Sequence, residues 1–123
     1  MDNIDKIKSE LEQHYGSQTY YKGFVSKSIY TDGIKDLLEK AQCYWLYDII
    51  QTEIFALLKN KNPDIYYFKI TSKSSEAKLI LKDYKSDVIY EREIPFTDFP
   101  EGSLDLVIGF DGQYLTTCLP SEN

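Results

Sequence analysis

The sequence predicts an α+β fold, with N-terminal helices packed on one face of an antiparallel β-sheet of about four to five strands. Apolar residues recur at helical spacing as far as Leu58, and from Asp64 onward their period changes to two. Helices come first and strands second, an order that belongs to segregated layers rather than to βαβ units. A chain of 123 residues suits one domain, 1–123, divided into a helical part over 1–62 and a β-meander over 63–120.

The organising stretch runs from Tyr30 to Lys59. Thr31 or Asp32 is a good N-cap, and Gly33 is tolerated in the first turn. Ile34, Leu37, Leu38 and Ala41 follow at i, i+3, i+4 and i+7, one buried face. Beyond Cys43 the apolar character widens. Trp45, Leu46, Ile49, Ile50, Ile54, Leu57 and Leu58 leave a narrow polar side at Asp48, Gln51, Thr52 and Lys59. A helix apolar over most of its girth is covered on several sides, so this one is expected to lie across the sheet. Upstream, residues 2–14 read as a helix with a thin stripe at Ile4, Ile7 and Leu11, expected to pack within the chain and to stop at Gly16. Residues 19–25 read either as a short strand or as an irregular crossing.

The strands are expected at 65–70, 76–84, 87–94, 104–110 and 113–119. Val88, Tyr90 and Ile94 would face one way and Glu91 and Glu93 the other. Pro95 ends the third strand, and the two phenylalanines of Pro95 to Gly102 pin that connection to the body. Asp111-Gly112 calls for a two-residue hairpin, because glycine accepts the positive φ such turns need. Charged side chains at alternate strand positions imply one wet sheet face and one face carrying the helices.

Composition bounds the function. The formal charge is −6, from 14 basic and 20 acidic side chains. That sign repels phosphate backbones and anionic lipid, so direct nucleic-acid binding is not expected, while a protein partner with a basic surface is. Tyrosine accounts for 11 residues. It buries a ring behind a polar tip and suits binding surfaces, and His14, Tyr15, Tyr20, Tyr21 and Phe24 gather aromatics within a short stretch. No apolar run approaches membrane-spanning length. The N-terminus lacks the order of a signal peptide, and two cysteines make neither a metal spacing nor a disulfide framework. The expected location is cytoplasmic.

Three sets of residues carry a resemblance. They are Tyr20-Tyr21 with Ile29-Tyr30-Thr31-Asp32-Gly33-Ile34-Lys35, then Cys43-Tyr44-Trp45-Leu46-Tyr47-Asp48-Ile49-Ile50, and Glu93-Ile94-Pro95-Phe96-Thr97-Asp98-Phe99-Pro100 with the closing Leu119-Pro120-Ser121-Glu122. Together they resemble a family of small uncharacterised bacterial and phage-associated proteins, classed only as a domain of unknown function. The resemblance spans most of the chain except Thr71 to Lys85. It implies a phage or mobile-element context and brings no catalytic residues with it.

The residues themselves offer little chemistry. Cys43 and His14, the only histidine, would make a nucleophile pair. Cys43 sits in an apolar block, however, where free cysteine behaves as a small core side chain, and Cys118 near a strand end reads the same way. Asp32, Asp48 and Asp98 would make a carboxylate set, yet they read more simply as a cap, a helix edge and a turn residue. No metal ligands and no cofactor are assigned, and an enzyme is the less favoured class.

The leading expectation is a small acidic cytoplasmic protein-binding module, its specific form being a phage or mobile-element accessory that inhibits a host nucleic-acid-handling or defence complex by contact. Its binding residues are placed at Tyr20, Tyr21, Tyr30, Asp32, Trp45 and Asp48. One alternative is a small-molecule or enzymatic pocket near Thr31, Asp32, Trp45 and Asp48. Another is a structural homo-oligomer.

Overall fold

The structure, a computed structural model, describes residues 7, 20–23 and 27–122. It is α+β and mostly sheet. One seven-stranded sheet carries the strand order β1-β2-β7-β6-β3-β4-β5, with β1 Tyr20–Lys22, β2 Ser28–Thr31, β3 Asp64–Lys73, β4 Glu76–Lys82, β5 Val88–Ile94, β6 Gly102–Phe110 and β7 Leu115–Cys118. Four to five strands were expected. The additional pair comes from the part of the chain assigned to helices, where β1 and β2 form a short hairpin. These strands are only three and four residues long, too brief to establish a period of two.

Two further features depart from an antiparallel meander. β2 pairs with β7 in parallel. After β5 the chain also crosses back to place β6 beside β3, so β3-β4-β5 is the one run of three consecutive neighbours, alongside the sequential pairs β1-β2 and β6-β7.

Strand β3 alternates as its sequence dictates. Tyr66, Phe68, Ile70 and Ser72 are buried, while Ile65, Tyr67, Lys69, Thr71 and Lys73 face solvent. Leu79 and Leu81 of β4 continue the buried face. A register shift between Leu81 and Lys82 pairs Leu81 with Tyr90 but Lys82 with Val88. That bulge turns Val88 to the wet face, away from Tyr90 and Ile94, against the uniform alternation expected. The Asp111-Gly112 turn is likewise longer than expected. Asp111 to Tyr114 form a four-residue loop in which Asp111 Oδ1 accepts the N–H groups of Gln113 and Tyr114 at 2.8 and 2.6 Å. The aspartate side chain builds its own turn and defers the strand to Leu115. Those bonds hold the Asp111 carboxyl below its usual pKa.

The buried face carries the helices. Helix α1, Asp32–Lys40, buries Ile34, Leu37 and Leu38 as expected, and Ala41 is buried just beyond it. It ends with Gln42 at φ 51°, and Cys43 donates its N–H to the Leu38 carbonyl at 3.1 Å. This is a Schellman-type closure with glutamine in glycine's usual place. The chain then re-enters a second helical rod: α2, Tyr44–Ile49, a π-helical turn, Ile50–Ile54, and α3, Phe55–Leu58. The N–H of Phe55 reaches the Ile50 carbonyl five residues back, the mark of a π turn. The extra residue rotates Gln51, expected on the polar side, into the interior.

The rod lies across the sheet. Tyr47 meets Ser28 of β2, while Glu53 meets Tyr90 and Arg92 of β5. Leu46, Ile50, Ile54 and Leu58 fill the space between. Ile7 is helical and buried in the same core, in keeping with intramolecular packing of its stripe. The other residues of the helix expected over 2–14, together with Tyr15 and Phe24, lie outside the described residues.

The start of α1 is closed by the other end of the chain. Thr31 is the N-cap, and its hydroxyl accepts from Ile34 N at 3.4 Å. Glu122, in the short 3-10 turn Pro120–Glu122, then accepts from Thr31 Oγ1 at 2.6 Å, Leu119 N at 3.0 Å and Gly33 N at 3.2 Å. A carboxylate at a helix N-terminus satisfies orphan donors and complements the dipole. Gly33 allows the approach, since a Cβ there would lie 2.5 Å from Glu122 Oε1. Replacing Glu122 by Ala removes an anionic acceptor of three hydrogen bonds and is expected to cost roughly 2 kcal/mol. The check is the urea midpoint, which should fall with an unchanged m-value; an unmoved midpoint contradicts the clasp.

Candidate functional site

The β1–β2 hairpin brings tyrosines together. Tyr21 and Tyr30 are cross-strand partners, and their rings stack with centroids 5.5 Å apart at 25°. On the other side Tyr30 meets Tyr47 edge-on at 4.6 Å, an arrangement favoured by the ring quadrupoles. Lys35, one turn into α1, lies over the Tyr21 ring at 4.8 Å and reaches Glu39 at 3.9 Å. Tyr44 opens α2 and is 56% exposed. Burial, followed by nearby Tyr44 and Tyr21, raises the Tyr30 pKa against the opposing pull of Lys35.

Beneath this face the contacts become polar and closed. The Tyr47 and Ser28 hydroxyls share a buried hydrogen bond of 2.5 Å, and desolvation pushes the Tyr47 phenol up to about 12. Gln51, placed inward by the π turn, donates to Asp48 Oδ1 at 3.1 Å. Gly23 ends the hairpin against this seam. A Cβ there would collide with Gln51 Oε1 and come within 3.2 Å of the Tyr47 ring. The absent side chain lets the hairpin sit down on the rod.

Of the residues expected to bind, Tyr21 and Tyr30 are adjacent on this face, with Asp48 at its edge, one helical turn beyond Tyr44. Tyr20 alternates to the opposite side of the hairpin, where it pairs in register with Thr31. Asp32 stands in the first turn of α1. Trp45 turns away, and its indole meets Phe99 at 6.4 Å. Thr31 is spent on capping and on Glu122. Lys35 and Tyr44 belong to the face, with Tyr47 buried beneath it, and none of the three was placed among the expected binding residues. The Tyr44, Tyr47, Asp48, Gln51 spacing was the available signal, for it places one polar-aromatic edge along a helix.

Cys43 and Cys118 are buried, and desolvation raises their thiols to about 12 and about 11. A thiol so raised is a poor nucleophile. Among the described residues no group of three or more His, Cys, Asp and Glu side chains gathers around a metal-sized position, and no helix is long and apolar enough to cross a membrane.

A mostly-sheet α+β domain with its helices on one face and an aromatic surface at the edge hairpin is the class these features define. The chain belongs to the DUF6876 family, a family of unknown function whose model matches residues 5–123. The expected membership of an uncharacterised domain family is thereby borne out. A crystal structure of a protein of unknown function from Enterococcus faecalis is similar, with a TM-score of 0.55 and 17% identity over 80% of this chain and 91% of that one. At that identity the likeness is one of fold. No curated protein matches the chain.

The raised phenols and thiols set a pH dependence. Tyr47 and Tyr90 rise from 10.0 to about 12, and Cys43 from 9.0 to about 12, each chiefly through burial. The unfolded chain therefore releases these protons first, and stability present below about pH 9 is lost as pH rises toward 12. Urea midpoints measured from pH 8 to pH 11.5 should decline steadily; a flat profile contradicts the burial assigned to these groups.

Proposed function

We propose that the chain is a small cytoplasmic contact protein whose tyrosine face engages a partner protein with a basic surface. The observation that supports it best is the run of Tyr21 and Tyr30, partly buried and stacked, leading to Tyr44, which is exposed, all on a well-packed base. Solvent-facing tyrosines on a rigid base bring large contact area at low entropic cost, and aromatic residues are enriched where interfaces hold their energy. The charge of −6 adds the sign of the partner. Positive patches are drawn to such a surface and nucleic acid is repelled from it. A specific form of the reading is a phage or mobile-element accessory protein that covers the basic surface of a host nucleic-acid-handling or defence complex.

The test is a photoreactive benzoyl-phenylalanine at Tyr44, with Tyr84 on the β4–β5 turn as an equally exposed control. Tyr44 should yield an adduct with a basic protein that fades as salt rises, since charge-led contacts are screened. Tyr44→Ala should weaken that complex about tenfold, or about 1.4 kcal/mol, as truncation of one of the minority of interface residues that matter does. No adduct at Tyr44, or the same adducts at both positions, contradicts the reading.

A further inference from the structure

We propose that the β5–β6 connection is a preorganised docking loop that seats the Phe96 ring in a phenyl-sized apolar pocket, rimmed by basic side chains, on a partner protein. The inference goes beyond the contact reading above and concerns a different surface.

Phe96 is 89% exposed, the most exposed large apolar side chain among the described residues. Single exposed apolar residues are ordinary on protein surfaces; what sets this one apart is how firmly its loop is held. Three bonds tie the connection to the β3–β4 hairpin: Thr97 N–H donates to the Ser75 carbonyl at 2.9 Å, Ser72 Oγ donates to the Phe99 carbonyl at 3.1 Å, and Ser74 N–H donates to Glu101 Oε1 at 3.1 Å. Within the loop, Phe99 N–H donates to Thr97 Oγ1 at 3.1 Å. Phe99 is buried against Trp45. Both phenylalanines were expected to pin the connection; Phe99 anchors it inward, whereas Phe96 stands out in solvent.

The hairpin beneath is itself strained. Ser74 and Ser75 stand at φ 55° and 64°, where L-residues other than Gly, Asn and Asp are uncommon. The bonds to Glu101 and Thr97 hold both serines there. A ring displayed on a fixed loop loses little entropy on binding, which is where preorganised anchors gain affinity.

Charge selects the occupant. From Glu93 to Glu101 the chain carries three carboxylates, Glu93, Asp98 and Glu101, and no cation. A basic rim complements them and anionic lipid does not. A second copy offers one hollow bordered by Asp64 and Asp111, of the same sign as the loop, and one where Lys73 and Lys78 stand beside Glu76 and Glu93, and it is an outcome of the test below.

The experiment places benzoyl-phenylalanine at position 96 of the full chain in cells, purifies the captured protein, and measures its affinity for wild type, Phe96→Ala, Phe96→Leu and Asp98→Lys. The proposal stands on the affinities. Phe96→Ala should bind about thirtyfold more weakly, as a central aromatic anchor does. Phe96→Leu should stay within a few-fold of wild type, and Asp98→Lys should weaken binding most at low salt. Unchanged urea midpoints show that the variants fold, since the ring is exposed. Wild-type affinity for Phe96→Ala, an adduct only with a second copy, or no adduct overturns the inference. An adduct at Tyr44 without one at position 96 overturns this inference alone, whereas the reverse removes the tyrosine face and leaves the loop.

Discussion

The structure depends on one crossing. The rod from Tyr44 to Leu58 lies over the sheet from β2 to β5, and its buried side chains touch strands that are far apart in sequence. At one end Tyr47 is hydrogen-bonded to Ser28, and toward the other Glu53 holds Tyr90 and Arg92, the only arginine in the chain. The exposed ion pair at Glu53 adds little energy by itself. Its role is directional, fixing which strand the rod reaches after the apolar contacts have supplied the attraction. The π turn belongs to the same constraint. One extra residue re-aims the helix face so that Ile50 and Ile54 both reach the core, and it carries Gln51 inward.

A second closure joins the start of α1 to the last of the described residues. Glu122 sits where a capping-box carboxylate would reach, but it arrives from the far end of the sequence. This explains physically why the Tyr-Thr-Asp-Gly stretch and the closing Leu-Pro-Ser-Glu act as one unit. The threonine supplies the donor, the glycine the space and the glutamate the acceptor. The strained Ser74–Ser75 turn follows the same logic, a local cost offset by bonds from a distant segment.

Much of this was legible in the sequence. The buried face of α1 is read off the spacing of Ile34, Leu37, Leu38 and Ala41, and the two-sided character of β3 follows from its alternation. Other features had no local sign. β1 and β2 are too short to show a period, and their pairing is set by Tyr21 on Tyr30 and by β7, which lies more than eighty residues further on. The Ser74–Ser75 turn lacks the glycine or asparagine that marks such turns. Gln51 reads as a surface residue until the helix widens at that point. For the tyrosine face, composition drew attention to the right residue type. Which rings meet depended on the hairpin register, so Tyr21 and Tyr30 come together while Tyr20 points to the other side.

The domain thus presents aromatic surface at two places on a frame whose rigidity comes from the crossing rod. Amide hydrogen exchange on the native protein tests that rigidity most directly. If the rod holds both flanks of the sheet, the amides of Ser28–Thr31, of Leu46–Ile54 and of the β4–β5 ladder share one opening free energy close to that of global unfolding. Exchange of the β2 amides by an independent, much cheaper opening would contradict the account, for the tyrosine face would then have no fixed base.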